Sequence, residues 1–156
     1  MAVDLGASNI KPTRIELAVG TFRIPVGVGV GSVMAAGFVS LAGFGSTADA
    51  LVITSGFGFY SATAAVASSA SVELAARAFT TNFLWEVLAL AVIPLVGRRL
   101  SNEAAVGTGG ATAMDICLPS LTKTCSTRIA PVAILSGLVL TVAAPLVTQF
   151  WIWLLL

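Results

Sequence analysis

The sequence predicts an all-α integral membrane protein: three full transmembrane helices plus two broken or re-entrant helical segments. Three observations lead there. Charged residues make up only 10% of the 156 and hydrophobic ones 57%, where soluble domains carry about 25% charge. The mean hydropathy is +0.99. The charge-free runs fall into two kinds, long apolar stretches and stretches interrupted by Gly, Ser and Thr. A chain so poor in charge has lipid as its expected solvent.

The same counts exclude several function classes. A net charge of +1 leaves no basic stripe for nucleic acid. There is no His, so the commonest general base and metal ligand is missing. No nucleophile elbow, phosphate loop or metal-ligand spacing occurs, so neither an enzyme nor a metal or other cofactor is expected. Cys117 and Cys125 form no Cys-x-x-Cys pair and read as reduced, small apolar residues.

Taken in order, residues 1–23 form a polar cytoplasmic leader. Asp4, Lys11, Arg14, Glu16 and Arg23 leave no apolar core for a signal peptide. The membrane domain then covers 24–156. Residues 24–48 are free of charge and long enough for a helix that crosses a core of ~30 Å. Gly27, Gly31 and Ala35 repeat every four residues, a face that lets another helix approach closely. The Gly27-Val28-Gly29-Val30-Gly31 string mimics a nucleotide loop but lacks the strand-turn-helix setting.

Residues 50–76 hold the first broken segment, centred on Thr54 to Ser61. Irregular backbone at membrane depth survives only inside protein or beside a water-filled cavity. Residues 78–97 form the second span, with Glu86 inside it and Arg98-Arg99 closing it. Residues 104–122 repeat the broken pattern from Gly107 to Pro119. Residues 129–153 make the third span, ending in an interfacial aromatic belt at Phe150, Trp151 and Trp153.

Basic residues select the topology. If the first broken segment crossed fully, Arg98 and Arg99 would emerge outside, against the positive-inside rule. If it dips in and returns, Arg98, Arg99, Lys123 and Arg128 are all cytoplasmic. A span followed by a broken segment then occurs twice in opposite orientations. That is the plan of half of an inverted-repeat transporter, multi-pass in the cytoplasmic membrane.

Candidate site residues follow from this plan. Asp115, between Gly110 and Pro119, is an acid at membrane depth; it could bind a substrate cation, carry a proton, or sit at an interface as a cap. Glu86 and Asn82 share a helix face at i, i+4, as a polar transport stripe or as a hydrogen bond between helices. Ser55, Tyr60, Ser61, Thr108 and Thr112 put hydroxyls in the breaks. They could replace hydration around an ammonium group or satisfy freed backbone. Glu73 and Arg77 read as interfacial anchors.

Two strings, Ser55-Gly56-Phe57-Gly58-Phe59-Tyr60-Ser61 and Gly110-Ala111-Thr112-Ala113-Met114-Asp115-Ile116-Cys117-Leu118-Pro119, resemble the S-G-F-G-[WF]-Y-S and G-A-T-[SA]-M-D-x-x-L-P signatures of the lysine exporter LysO family. Glu86 with Ile93-Pro94 and the Arg98-Arg99 pair extend the resemblance, which runs from about Val3 to Phe150. It implies export of lysine and similar basic amino acids, in exchange for protons, by alternating access. It puts an acidic transport residue at Asp115 and the first motif's key positions at Gly56, Gly58, Tyr60 and Ser61. Many members carry Arg where this chain has Trp85.

The match is to the C-terminal half of a longer family chain. A split transporter is therefore expected, its partner an N-terminal-half membrane subunit on a separate polypeptide, with the pair able to form a homo-oligomer. Two alternatives stand beside this: a carrier for another small solute, and a non-transporting membrane subunit that stabilises a partner.

Overall fold

The structure, a computed structural model, describes the backbone from Arg14 and the side chains from Phe22 to Leu156. Residues 1–13 of the expected leader lie outside the described residues. In chain order the elements are α1 (Arg14–Leu41), α2 (Thr47–Thr54), α3 (Tyr60–Ala67), α4 (Val72–Arg99), α5 (Asn102–Gly109), α6 (Leu118–Cys125) and α7 (Ala130–Leu155). A 3₁₀ turn, Gly110–Met114, separates α5 from α6, and another, Thr127–Ile129, precedes α7. Among the described residues there is no strand.

Helices α1, α4 and α7 have the length and apolarity to cross a membrane. At ~1.5 Å per residue each reaches about 40 Å, beyond a ~30 Å core. Valines and glycines make α1 a poor helix by aqueous propensity. In lipid an unsatisfied peptide group costs more than that propensity, so the helical state wins. The same argument accommodates Pro25, Pro94 and Pro145 inside the three long helices.

The helix ends differ from the sequence expectation. Helix α1 stops at Leu41, short of residue 48, and the chain turns through Ala42–Gly45. Ser46 then caps α2, its Oγ accepting the Asp49 N–H at 3.0 Å. Helix α4 begins at Val72, where Ser71 Oγ accepts the Leu74 N–H, and runs through Arg99. Absence of charge marks lipid-exposed length, whereas capping hydroxyls set where a helix starts.

Both broken segments turn back on themselves. Helix α2 starts beside the end of α1, where the Ser40 and Thr47 hydroxyls meet at 2.6 Å. Its Val52 packs with Ala67 of α3 and with Leu74 and Ala78 from the start of α4. The loop between α2 and α3 lies further along α4, level with Asn82 and Trp85. Thus α2 rises and α3 descends on the same side. Helices α5 and α6 do likewise from the opposite end. There Ala105, Thr124 and Cys125 all crowd Gly97, while the turn between them lies against Gly137 in mid-α7.

Helix α4 turns one stripe inward: Leu74, Ala78, Asn82, Glu86, Ala89 and Ile93. Helix α7 presents Ala133, Gly137, Leu140, Ala144 and Thr148. Leu88 of α4 and Leu146 of α7 are exposed, as Phe38 of α1 is. An exposed apolar exterior of this extent fits lipid or further helices rather than water.

Candidate functional site

The two breaks meet. Helix α2 ends at Thr54, and the chain crosses Ser55 to Phe59 with positive φ at Phe57 (52°) and Gly58 (92°). A bulky residue rarely takes the left-handed region, and such strain persists where surrounding structure over-determines it. Here the constraint is visible. The Phe57 carbonyl accepts the Ala111 N–H at 2.9 Å, joining the first break to the second. The Phe57 ring is buried with Ala111, Leu140 and Ala144.

Within the breaks, close approach dictates glycine at Gly110 and Gly56. A Cβ on Gly110 would stand 2.4 Å from the Phe57 carbonyl oxygen, and its φ of +57° is itself left-handed. A Cβ on Gly56 would lie 2.4 Å from Thr63 Oγ1 and 2.5 Å from Asn82 Oδ1. No side chain larger than hydrogen fits either place without displacing a neighbour.

Asn82 serves the first break. Its Oδ1 accepts the Gly58 N–H at 2.9 Å, and its Nδ2 donates to the Ile53 and Ala78 carbonyls at 2.9 Å each. One amide thus satisfies backbone groups that the interrupted helix releases. Ser55 is buried, with its Oγ donating to the Val52 carbonyl and meeting Thr148 Oγ1 at 2.9 Å. Thr112, in the second break, donates to the Gly109 carbonyl at 2.8 Å and contacts Cys117 Sγ at 3.3 Å.

The two acids lie beside this crossing. Glu86, one turn beyond Asn82, is buried at 7% exposure. The only ion pair among the described residues joins Arg77 to Glu73, far along α4. Glu86 therefore has no described cation. Asp115 ends the 3₁₀ turn, is exposed, and its Oδ1 accepts the adjacent Ile116 N–H at 2.6 Å.

Of the expected site residues, Ser55, Gly56, Gly58, Asn82, Glu86 and Thr112 come together around the crossing. Asp115 borders them on an open face. Tyr60 instead packs edge-on to Phe79 and Phe83, and Ser61 is exposed on α3. Thr108 lends its carbonyl to the Trp85 indole N–H at 3.0 Å.

Sequence reasoning missed Thr63 and Thr148. Both are fully buried polar side chains, and a hydroxyl inside a charge-free span was the available signal. Among the described residues no three His, Cys, Asp or Glu side chains gather where they could hold a metal ion.

Three long apolar helices, with two segments that turn back from opposite ends and touch through their backbones, fit a multi-pass helical membrane protein. Residues 1–152 match the family described as Lysine exporter LysO, and the chain belongs to that family. It is 35% identical over 103 residues to a protein of Escherichia coli K12 named Lysine exporter LysO, covering 65% of this chain and 34% of that protein. It is 32% identical over 123 residues to a Haemophilus influenzae protein named "Putative lysine exporter", covering 78% of this chain and 60% of that one. The chain therefore spans about a third of the first relative and three-fifths of the second. No solved structure matches.

Proposed function

We propose that this chain exports lysine and similar basic amino acids across the cytoplasmic membrane in exchange for protons, by alternating access. Family membership and the relatives' names support the substrate. One observation carries the mechanism: a buried Glu86 without a described cation and an exposed Asp115 flank the contact between two re-entrant helices. A carboxylate at membrane depth is costly unless it meets a cation or a proton. A substrate ammonium and protons can therefore compete for this pair, and the exchange of one for the other couples the fluxes.

The hydroxyls and carbonyls of the breaks replace water around the ammonium. Helices α3 and α6 start with no side-chain cap, so their N-termini offer partial positive charge to a substrate carboxylate.

The basic residues orient the chain. Arg98 and Arg99 close α4, Lys123 lies in the last turn of α6, and Arg128 follows in the second 3₁₀ turn. This end faces the cytoplasm. The transporting unit in this reading also takes the family region beyond this stretch, supplied as an N-terminal-half partner; one such pair, or an oligomer of pairs, would do the work.

The test is lysine release from preloaded cells that make this chain together with the remaining family region, each alone serving as control. Release that needs both supports the reading. Correct insertion without release contradicts it and favours another solute or a stabilising subunit.

A further inference from the structure

A cleft of about 580 Å³ opens between α1 and α5, within the size range of small-ligand sites. Arg23 and Glu103 line one part of it, and Trp85 and Thr108 another. Gly27 and Gly31 form part of its wall, with nothing within 4 Å of where their Cβ atoms would stand. At Trp85 the cleft reaches the crossing, because the indole lies 3.5 Å from the place a Cβ on Gly58 would occupy. The cleft thus carries Arg23 and Glu103 and extends to Trp85, beside the first break.

Arg23 and Glu103 face this space without bonding each other, since the only described ion pair lies elsewhere. Both are exposed. Unpaired opposite charges on one cleft complement a molecule that carries both signs. A guanidinium binds a carboxylate in a fork, and a carboxylate accepts from an ammonium. The Trp85 ring deeper in the cleft offers a cation–π face to a second ammonium on a long side chain.

We infer that the cleft between α1 and α5 is the entry site for a basic amino acid, with Arg23 taking its carboxylate, Glu103 its α-ammonium, and Trp85 guiding the side-chain ammonium toward the crossing. This rests on the proposed lysine export and adds the residues that meet substrate first. Glu103 in the first turn of α5 also suits a helix N-terminus. That role alone would not make the cleft respond to a ligand.

The experiment uses the assembled exporter in inside-out vesicles, with Gly27→Cys labelled by a membrane-impermeant maleimide and the unsubstituted protein as background. Lysine should slow labelling about threefold to tenfold, the effect of a charge-assisted contact pair. Norleucine, without the side-chain ammonium, and cadaverine, without the carboxylate, should protect much less. Protection by lysine should fall in Glu103→Gln and return in Glu103→Asp, and Arg23→Gln should bring lysine down to the level of cadaverine.

Lysine export is measured in parallel on the unsubstituted exporter. Export without lysine protection at Gly27→Cys overturns the cleft and leaves the transport reading intact. Protection without export keeps the cleft as a binding site and removes the transport reading. A cysteine that never labels means the cleft is filled by other polypeptide, and the proposal fails.

Discussion

The two breaks are built alike and partnered differently. In the first, between α2 and α3, side chains of neighbouring helices bond the break: Asn82 serves Gly58 and Ile53, and Thr148 meets Ser55. It contains no charge, and its centre is buried. The second, between α5 and α6, has one left-handed glycine, a short 3₁₀ turn and then Asp115, exposed, its side chain bonded only to its neighbour's N–H. One break is clamped and the other carries the loose charge. The contrast is between a break held by side chains of other helices and one that leaves a carboxyl exposed.

Substitutions that sharpen this contrast rank by their effect on stability. Gly110→Ala should cost the most. Its Cβ must enter the Phe57 carbonyl and hold a left-handed backbone, together on the order of 3 kcal/mol or more. Unfolding of the purified protein in mixed micelles would measure it, and a loss below one-third of that would mean that the crossing yields easily.

Asn82→Ala comes next. It strands the Gly58 N–H and the Ile53 carbonyl, and about 2 kcal/mol should be lost. Faster hydrogen exchange at Gly58 would localise the damage. Thr148→Val removes one hydroxyl contact to Ser55, and about 0.6 kcal/mol is expected, the mean for such bonds in membranes. Asp115→Asn should barely alter stability, because the side chain is exposed and the amide oxygen can still accept from Ile116. A large loss there would erase the distinction between a clamped and a charged break.

Much of this fold was legible in the sequence because lipid enforces strong rules. Glycines and hydroxyls at Thr54–Ser61 and Gly107–Thr112 could not continue a lipid-facing helix, and the basic residues allowed only segments that return. The i, i+4 spacing of Asn82 and Glu86 put them on one face, and both are buried in α4.

What stayed hidden depends on contacts far apart in the chain. Nothing local says that the Phe57 carbonyl receives the Ala111 N–H, or that Ser55 finds Thr148, 93 residues away. Tyr60 shows the converse. Its place in a motif suggested the site, and nothing local foretold that its ring packs edge-on against Phe79 and Phe83 on α4. The end of α1 was obscured because Ala42–Gly45 carries no charge, and a loop without charge looks like membrane.

The most direct test of the central claim measures lysine release from preloaded cells that make this chain, carrying Asp115→Asn or Glu86→Gln, together with the remaining family region, with membrane insertion and thermal stability of each variant recorded alongside. If the carboxyls beside the crossing exchange lysine for protons, both variants insert and fold normally yet release lysine at less than about a tenth of the unsubstituted rate, a loss of roughly 1.4 kcal/mol or more. Unchanged release from a stable Asp115→Asn protein would contradict the claim and return this chain to a structural role.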